Sequence, residues 1–213
     1  MIQKRIFKTG NYYHICNKSI ANYGIFSNDT NKNRFLICLD YYNNINRKES
    51  LSIFLRKNTY TPFLLRKCND QVIKIIAYCI MDDHYHLLVR TLADNRLSKY
   101  INDSENSYTR FFNIKLKRKG PLWQSNFRIV RVKTNEQMLH VSRYVHLNPV
   151  TNYLIEKPED WLYSSYKFYL DNNLLNNYLT EISVNSTEAY KKFVENNIDY
   201  QRKLKLIKKL TLE

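Results

Sequence analysis

Residues 72–81, rich in Val, Ile and Tyr, are followed by Asp82-Asp83 and then by a second run of β-formers over 84–91. Such a pattern reads as a buried strand, a tight turn and a returning strand, which puts an antiparallel hairpin near the middle of the chain. Tyr12, Tyr13, His14, Ile15, Cys16 and Asn17 follow a turn signal at Thr9-Gly10-Asn11 and predict a first strand. Ser27, Asn28, Asp29 and Thr30 can cap a helix whose apolar positions Phe35, Leu36, Leu39 and Tyr42 recur at helical spacing. A second helical piece over 50–57 and a loop over 58–69 around Pro62 come next. Beyond the hairpin, 97–117 predicts a long amphipathic helix with Leu97, Tyr100, Ile101, Tyr108, Phe111 and Phe112 inward. Residues 127–133 alternate as a fourth strand, and Thr134, Asn135 and Glu136 start a helix that runs to Leu147 and is ended by Pro149. The order β-α-β-β-α-β-α resembles an α+β fold, a ferredoxin-like split βαβ antiparallel sheet with one added helix, and does not by itself fix the arrangement of the strands. Residues 159–166 then read as a loop packing an aromatic against the body, and 186–210 as a basic helix or pair of helices. The division expected is a main domain over 1–170 and a basic helical extension over 171–213.

At 213 residues the chain can bury one sizeable core, and no Gly/Pro/Ser-rich linker divides it. A formal charge of +15 and a pI near 9.6 make a polyanion the default partner. The 18 Tyr and 10 Phe offer rings that can stack on unpaired bases while Lys and Arg take the phosphates. Enrichment in Asn, Ile, Lys and Tyr is also what an AT-rich genome encodes, so composition favours nucleic acid without proving it. Cys16, Cys38, Cys68 and Cys79 show no C-x-x-C spacing and are expected as reduced core thiols. No apolar run follows Met1-Ile2-Gln3-Lys4-Arg5, and no stretch of ~18 apolar residues occurs, so neither signal peptide nor membrane span is expected. The expected location is the cytoplasm, with its nucleoid.

His84 and His86 lie two apart on a strand and share a face, while Tyr144 and Asn148 lie four apart on a helix and do likewise. Alone, none of these carries much: paired histidines occur in many sheets, and asparagine is a common helix C-cap. Combined, in a basic protein and in elements that a split βαβ sheet can bring together, they outline a centre for phosphodiester cleavage. Two neutral imidazoles and an amide oxygen can hold a divalent metal without cancelling its charge, leaving positions open. The Tyr144 phenol, with an ordinary pKa of ~10, must lose its proton before or during attack. Its product would be a phosphotyrosine ester. That ester keeps the energy of the broken bond, so a DNA 3′-hydroxyl can reseal a strand without ATP.

Residues 77–88, ending in Asp82-Asp83-His84-Tyr85-His86-Leu87-Leu88, resemble the signature strand pair of the single-tyrosine HUH transposases, specifically the REP-associated tyrosine transposase group. Further matches are Gly120-Pro121-Leu122-Trp123-Gln124-Ser125-Asn126-Phe127 and Arg143-Tyr144-Val145-His146-Leu147-Asn148-Pro149-Val150. Pro158-Glu159-Asp160-Trp161, Ser164-Ser165-Tyr166 and, at the N-terminus, Tyr12 to Lys18 and Ile25 to Asp29 also fit. The resemblance implies a nuclease domain in which His84, His86 and Asn148 hold Mg2+ or Mn2+ and Tyr144 is the nucleophile. It implies recognition of DNA hairpins and cleavage of single-stranded DNA beside them, giving a 5′-phosphotyrosine and a free 3′-hydroxyl. Monomers and homodimers with an exchanged tyrosine helix both occur in such families. The chain departs from the pattern at Asp82-Asp83, where Pro-Asn is usual. Those carboxylates can raise metal affinity, repel the backbone phosphate or complete the turn. Tyr85 replaces a small aliphatic residue, and Lys18 stands where Arg is common.

Lys18, Lys115, Lys117, Arg118, Lys119, Trp123, Gln124, Arg128 and Arg131 are the candidate DNA contacts, with Trp123, Phe127 or Tyr12 as base-stacking rings. His146, two residues from Tyr144 and roughly across the helix, is expected to be structural. His140 shares the face of Tyr144 and has packing or capping as its plainer role, while His14 is open between core and DNA contact. A catalytically silent hairpin-binding protein and a metal-dependent RNA-binding protein are the other readings of these residues.

Overall fold

The computed structural model describes residues 6–65, 69–171 and 181–210. Its strands are β1 (Tyr12–Lys18), β2 (Ile73–Ile80), β3 (His84–Thr91) and β4 (Arg128–Val132). They form one sheet in the order β2-β3-β1-β4 with every neighbouring pair antiparallel. This is the ferredoxin-like arrangement, with which the order of elements is consistent and which the strand pairing now fixes. The register sets Cys16 opposite both His86 and Arg128, and His14 opposite both Leu88 and Val130. Because side chains alternate along a strand, His14, Cys16, Lys18, His84, His86, Arg128 and Val130 share one face. Tyr13, Ile15, Asn17, Tyr85, Leu87 and Arg131 share the other.

Helices α1 (Asp29–Tyr42), α2 (Leu51–Lys57) and α3 (Leu97–Lys115) lie in the two crossover connections. Asn28 caps α1 by accepting from the Asn31 N–H at 3.0 Å, and Phe35 on its buried stripe meets Tyr85 at 5.0 Å between ring centroids. From α3, Tyr100 donates to Leu39 O at 3.0 Å and Tyr108 to Ile25 O at 2.6 Å, so both buried hydroxyls are satisfied. These helices cover the Tyr85 face. Helix α4 (Asn135–Thr151) packs on β2 and β3 from the other side, leaving the same face of β1 and β4 uncovered by it.

The expected end of α4 at Leu147 is a correction: the helix passes through Pro149 and stops at Thr151. Proline forfeits one backbone hydrogen bond there. The turn persists because Pro149, Val150 and Thr151 are buried, and because Asn152 N and Leu154 N close on the carbonyls of Asn148 and Pro149, both at 3.1 Å. Next, the segment after a short 3-10 turn at Pro158–Asp160 lies along the outer edge of β2. Trp161 Nε1 donates to Ile80 O at 2.9 Å, Ile80 N donates to Tyr163 O at 2.9 Å and Ser165 N to Tyr78 O at 3.0 Å, which protects that edge from further pairing.

The basic C-terminal region is a pair of helices, α6 (Thr187–Glu195) and α7 (Ile198–Leu210), preceded by the one-turn α5 (Tyr166–Tyr169). Both α6 and α7 pack on α4, and Tyr190 and Val194 are fully buried. Cys16, Cys38 and Cys79 are free thiols, the last two buried. Cys68 and the N-terminal residues 1–5 lie outside the described residues, as does the start of the expected extension at 172–180. Among the described residues no helix is long and apolar enough to cross a membrane.

Candidate active site

Helix α4 is capped by Thr134, whose side chain accepts from Gln137 N at 3.1 Å, while Gln137 Oε1 accepts from Lys133 N at 2.9 Å. The helix set by this cap carries Tyr144 and Asn148 over the histidine face of β3. The Tyr144 ring stands edge-on to His86 at 5.2 Å and to His14 at 5.8 Å between centroids. It is 44% exposed, whereas His86 and Asn148 are 5% and 3% exposed. Desolvation against these neighbours raises the phenol pKa, with the adjacent Asn148 amide acting in the opposite direction. The nucleophile candidate is therefore both reachable from solvent and fully protonated at neutral pH.

His84 Nε2 lies 3.4 Å from Asn148 Oδ1, and the His84 and His86 rings are perpendicular at 5.1 Å. His84 Nδ1 meets Asp83 Oδ1 at 2.5 Å, and His86 Nδ1 meets His14 Nε2 at 3.0 Å. Burial lowers the pKa of His86 far below its ordinary value and that of His14 to about 4, so both are neutral at pH 7. A neutral imidazole is the form that ligates metal. Adjacent octahedral ligands at ~2.1 Å from one cation are about 3.0 Å apart, a few tenths of an ångström less than the 3.4 Å between His84 Nε2 and Asn148 Oδ1. The buried Asn148 Nδ2 has no hydrogen-bond partner, and Oδ1 accepts from Asn152 Nδ2 at 3.1 Å, leaving the amide with unused capacity. Among the described residues no group of three or more His, Cys, Asp or Glu is placed to hold a metal. His84, His86 and Asn148, two imidazoles and one amide, are the donor types that could hold a divalent cation on this face.

The turn residues before His84 are both engaged. Asp82 Oδ1 pairs with the buried Lys32 Nζ at 2.7 Å, and Asp83 Oδ2 with Lys18 Nζ at 3.3 Å. Their carbonyls accept from Phe26 N and Ser19 N, both at 2.8 Å, so the hairpin turn is stitched to the end of β1 and the approach to α1. Although burial of Asp83 works against its ionisation, His84 and Lys18 hold its carboxyl below the usual range. Lys205 of α7 also comes within electrostatic reach of His86, Asp83 and Lys18.

The candidate DNA contacts separate. Lys18 and Arg128 lie on the histidine face, and the exposed Gln124 is held beside them by its backbone N–H to Lys18 O at 2.9 Å. Arg131 lies on the opposite face and donates to Asn11 Oδ1 at 2.8 Å. Lys115 donates to Asn31 Oδ1 at 2.8 Å, and Arg118 to Asn113 Oδ1 at 2.8 Å and Pro121 O at 3.0 Å, while Lys117 and Lys119 are exposed. This second group surrounds the end of α3 and is not gathered at Tyr144. The Trp123 indole packs among Phe26, Phe35, Tyr85 and Tyr108 with centroids 5.8–6.3 Å away and donates to Thr109 Oγ1 at 3.1 Å. Phe127 is buried as well. Of the three rings considered for base stacking, only Tyr12 remains on the histidine face, with its hydroxyl on Glu181 Oε2 at 2.7 Å.

His146 is structural: it is fully buried, with Nδ1 on Tyr190 Oη and Nε2 on Ser165 Oγ, both at 2.7 Å. His140 pairs with Arg143 Nη2 at 2.9 Å rather than entering the site. The sequence left His14 undecided between core and DNA, and its contact with His86 comes from strand register.

Residues 11–148 match the sequence profile of the IS200-like transposases, a stretch that spans the whole sheet and ends on Asn148. The chain belongs to this transposase family. It is 24% identical over 119 residues to a Haemophilus influenzae protein assigned as a REP-associated tyrosine transposase, an alignment covering 51% of this chain and 68% of that one. A solved REP-associated tyrosine transposase bound to a REP hairpin superposes with a TM-score of 0.57 at 15% identity, covering 82% of this chain and 87% of that chain. At that identity the likeness establishes the shared fold. A Deinococcus radiodurans protein described as a transposase, at 14% identity over 68% of this chain and 95% of its own, has a TM-score of 0.30 and carries no argument.

Proposed function

We propose that this transposase binds DNA hairpins and cleaves and rejoins single-stranded DNA through a phosphotyrosine formed on Tyr144. The observation that carries the reading is the convergence of Tyr144, His84, His86 and Asn148 on one face of the sheet in a member of this family. Hairpin binding is supported by the hairpin bound to the solved relative and by the +15 charge. Held by His84, His86 and Asn148, Mg2+ or Mn2+ would supply positive charge where the phosphate and leaving oxygen become more negative. Tyr144 Oη forms the new bond to phosphorus, the bond to the DNA 3′-oxygen breaks, and the phenol proton leaves as attack proceeds. One phosphate ester is exchanged for another, so a 3′-hydroxyl attacking the tyrosyl ester reverses the step and rejoins a strand. The half of the sheet face that α4 leaves uncovered, along β1 and β4, offers Lys18 and Arg128 to the phosphates of the strand being cut.

Incubation of the protein with a hairpin-bearing single strand and Mn2+, followed by a denaturing gel, tests this. A covalent adduct is expected, lost in Tyr144→Phe and greatly weakened in His84→Ala. An adduct that persists in Tyr144→Phe sinks the assignment. Full-affinity hairpin binding with no cleavage under any divalent metal makes the protein a binding module instead.

A further inference from the structure

We infer that His14 and Asp83 are positioning residues, each fixing the tautomer of one metal-holding histidine so that both Nε2 lone pairs point into the site. The inference rests on the metal-dependent reading above. A neutral imidazole carries one N–H and one lone pair, and the partner of one nitrogen decides which nitrogen is free for a metal. Asp83 Oδ1 lies 2.5 Å from His84 Nδ1. A carboxylate only accepts, so it holds the proton on Nδ1 and leaves Nε2 bare. That Nε2 faces Asn148 Oδ1 at 3.4 Å, two acceptors that a shared cation reconciles.

His86 receives the same treatment from a different residue type. Its Nδ1 is 3.0 Å from His14 Nε2, with the two rings nearly parallel, 16° between planes. Two imidazoles at that distance share one proton. Placing it on His86 Nδ1 makes His14 Nε2 the acceptor and frees His86 Nε2 for the site. Both partners are themselves immobilised: Asp83 by Lys18 at 3.3 Å and by its carbonyl to Ser19 N at 2.8 Å, His14 by the register of β1 and the edge of Tyr144. Outer partners of this kind orient ligands and are worth about 10–100-fold in metal affinity. The Asp at 83 thus does more than complete the turn, and His14 is a working part of the site that lies outside the H-x-H motif.

Histidine-selective 15N labelling, with long-range proton–nitrogen correlation NMR on the metal-free protein, reads the tautomers directly. His84 and His86 are expected as Nδ1–H, and finding His86 as Nε2–H overturns its half of the inference. Calorimetric titration with Mn2+ is the second measurement. His14→Phe and Asp83→Leu are expected to weaken binding about 10–100-fold. His14→Gln and Asp83→Asn, which retain an acceptor, are expected to recover most of it. Unchanged affinity in folded His14→Phe and Asp83→Leu, checked by thermal unfolding, removes the positioning role. Failure of the unsubstituted protein to bind Mn2+ counts against the metal reading instead, and the NMR tautomers then decide this inference on their own. The NMR experiment needs no substitution, so a variant that fails to fold does not block the test.

Discussion

Glu105 lies behind the histidine strand, on the face turned away from Tyr144. Its carboxylate is 6% exposed and accepts from Tyr85 Oη and Asn17 Nδ2, both at 2.8 Å. Burial pushes its pKa up to about 7 against the pull of these two donors. The folded protein therefore binds more protons than the unfolded chain between the ordinary value of 4.5 and about 7. The resulting stabilisation, on the order of 3 kcal/mol, is full below the unfolded value and is lost as pH rises through the folded one. Glu105→Gln is expected to flatten this slope, being more stable than the unsubstituted protein at pH 8 and gaining nothing over it at pH 5. Urea unfolding at the two pH values checks it, and an unchanged slope counts against the assignment. That Tyr85 would be buried away from the histidine face was legible from strand alternation. Its need for a buried acceptor was not, because Glu105 comes from α3. His14 was hidden for a similar reason: its partner depends on which strand β1 joins, and in what register. Trp123 shows the opposite failure, a ring whose loop looked suited to bases but whose faces are taken by Phe35, Tyr85 and their neighbours.

Helix α4 ties Tyr144 to the sheet, and its beginning was more readable than its end. Caps are local: Thr134, Asn135 and Glu136 announce the start, and the Thr134 side chain accepts from Gln137 N as a cap does. Thr134→Ala is expected to cost about 1 kcal/mol, seen as a lower urea midpoint with an unchanged m-value. A cost near zero means that the first turn is held by its tertiary contacts alone. The end of α4 is decided by burial of Pro149 and by closure from Asn152 and Leu154, contacts that propensity does not contain. The β2-β3 hairpin was likewise readable from its own residues. The order β2-β3-β1-β4 follows only from the element sequence together with the ferredoxin-like resemblance, since each β1 pairing joins segments far apart in the chain.

For the molecule as a whole, the +15 charge was plain from composition, but which cations share a face was not. Register separates Arg128 on the histidine face from Arg131 on the other. Arg128→Ala is expected to weaken single-strand binding and to reduce the slope of log affinity against log salt by about 0.7. Arg131→Ala, which removes a guanidinium already bonded to Asn11, is expected to leave both unchanged. Filter binding over a range of salt concentrations distinguishes the two, and equal losses remove the argument for the uncovered sheet face. The C-terminal helices have their own hold on the centre of α4: Tyr190 bonds His146, which sits between Tyr144 and Asn148. Finally, Tyr144 meets His86 within a single polypeptide. On the proposed chemistry, a single polypeptide supplies all four side chains of the cutting centre.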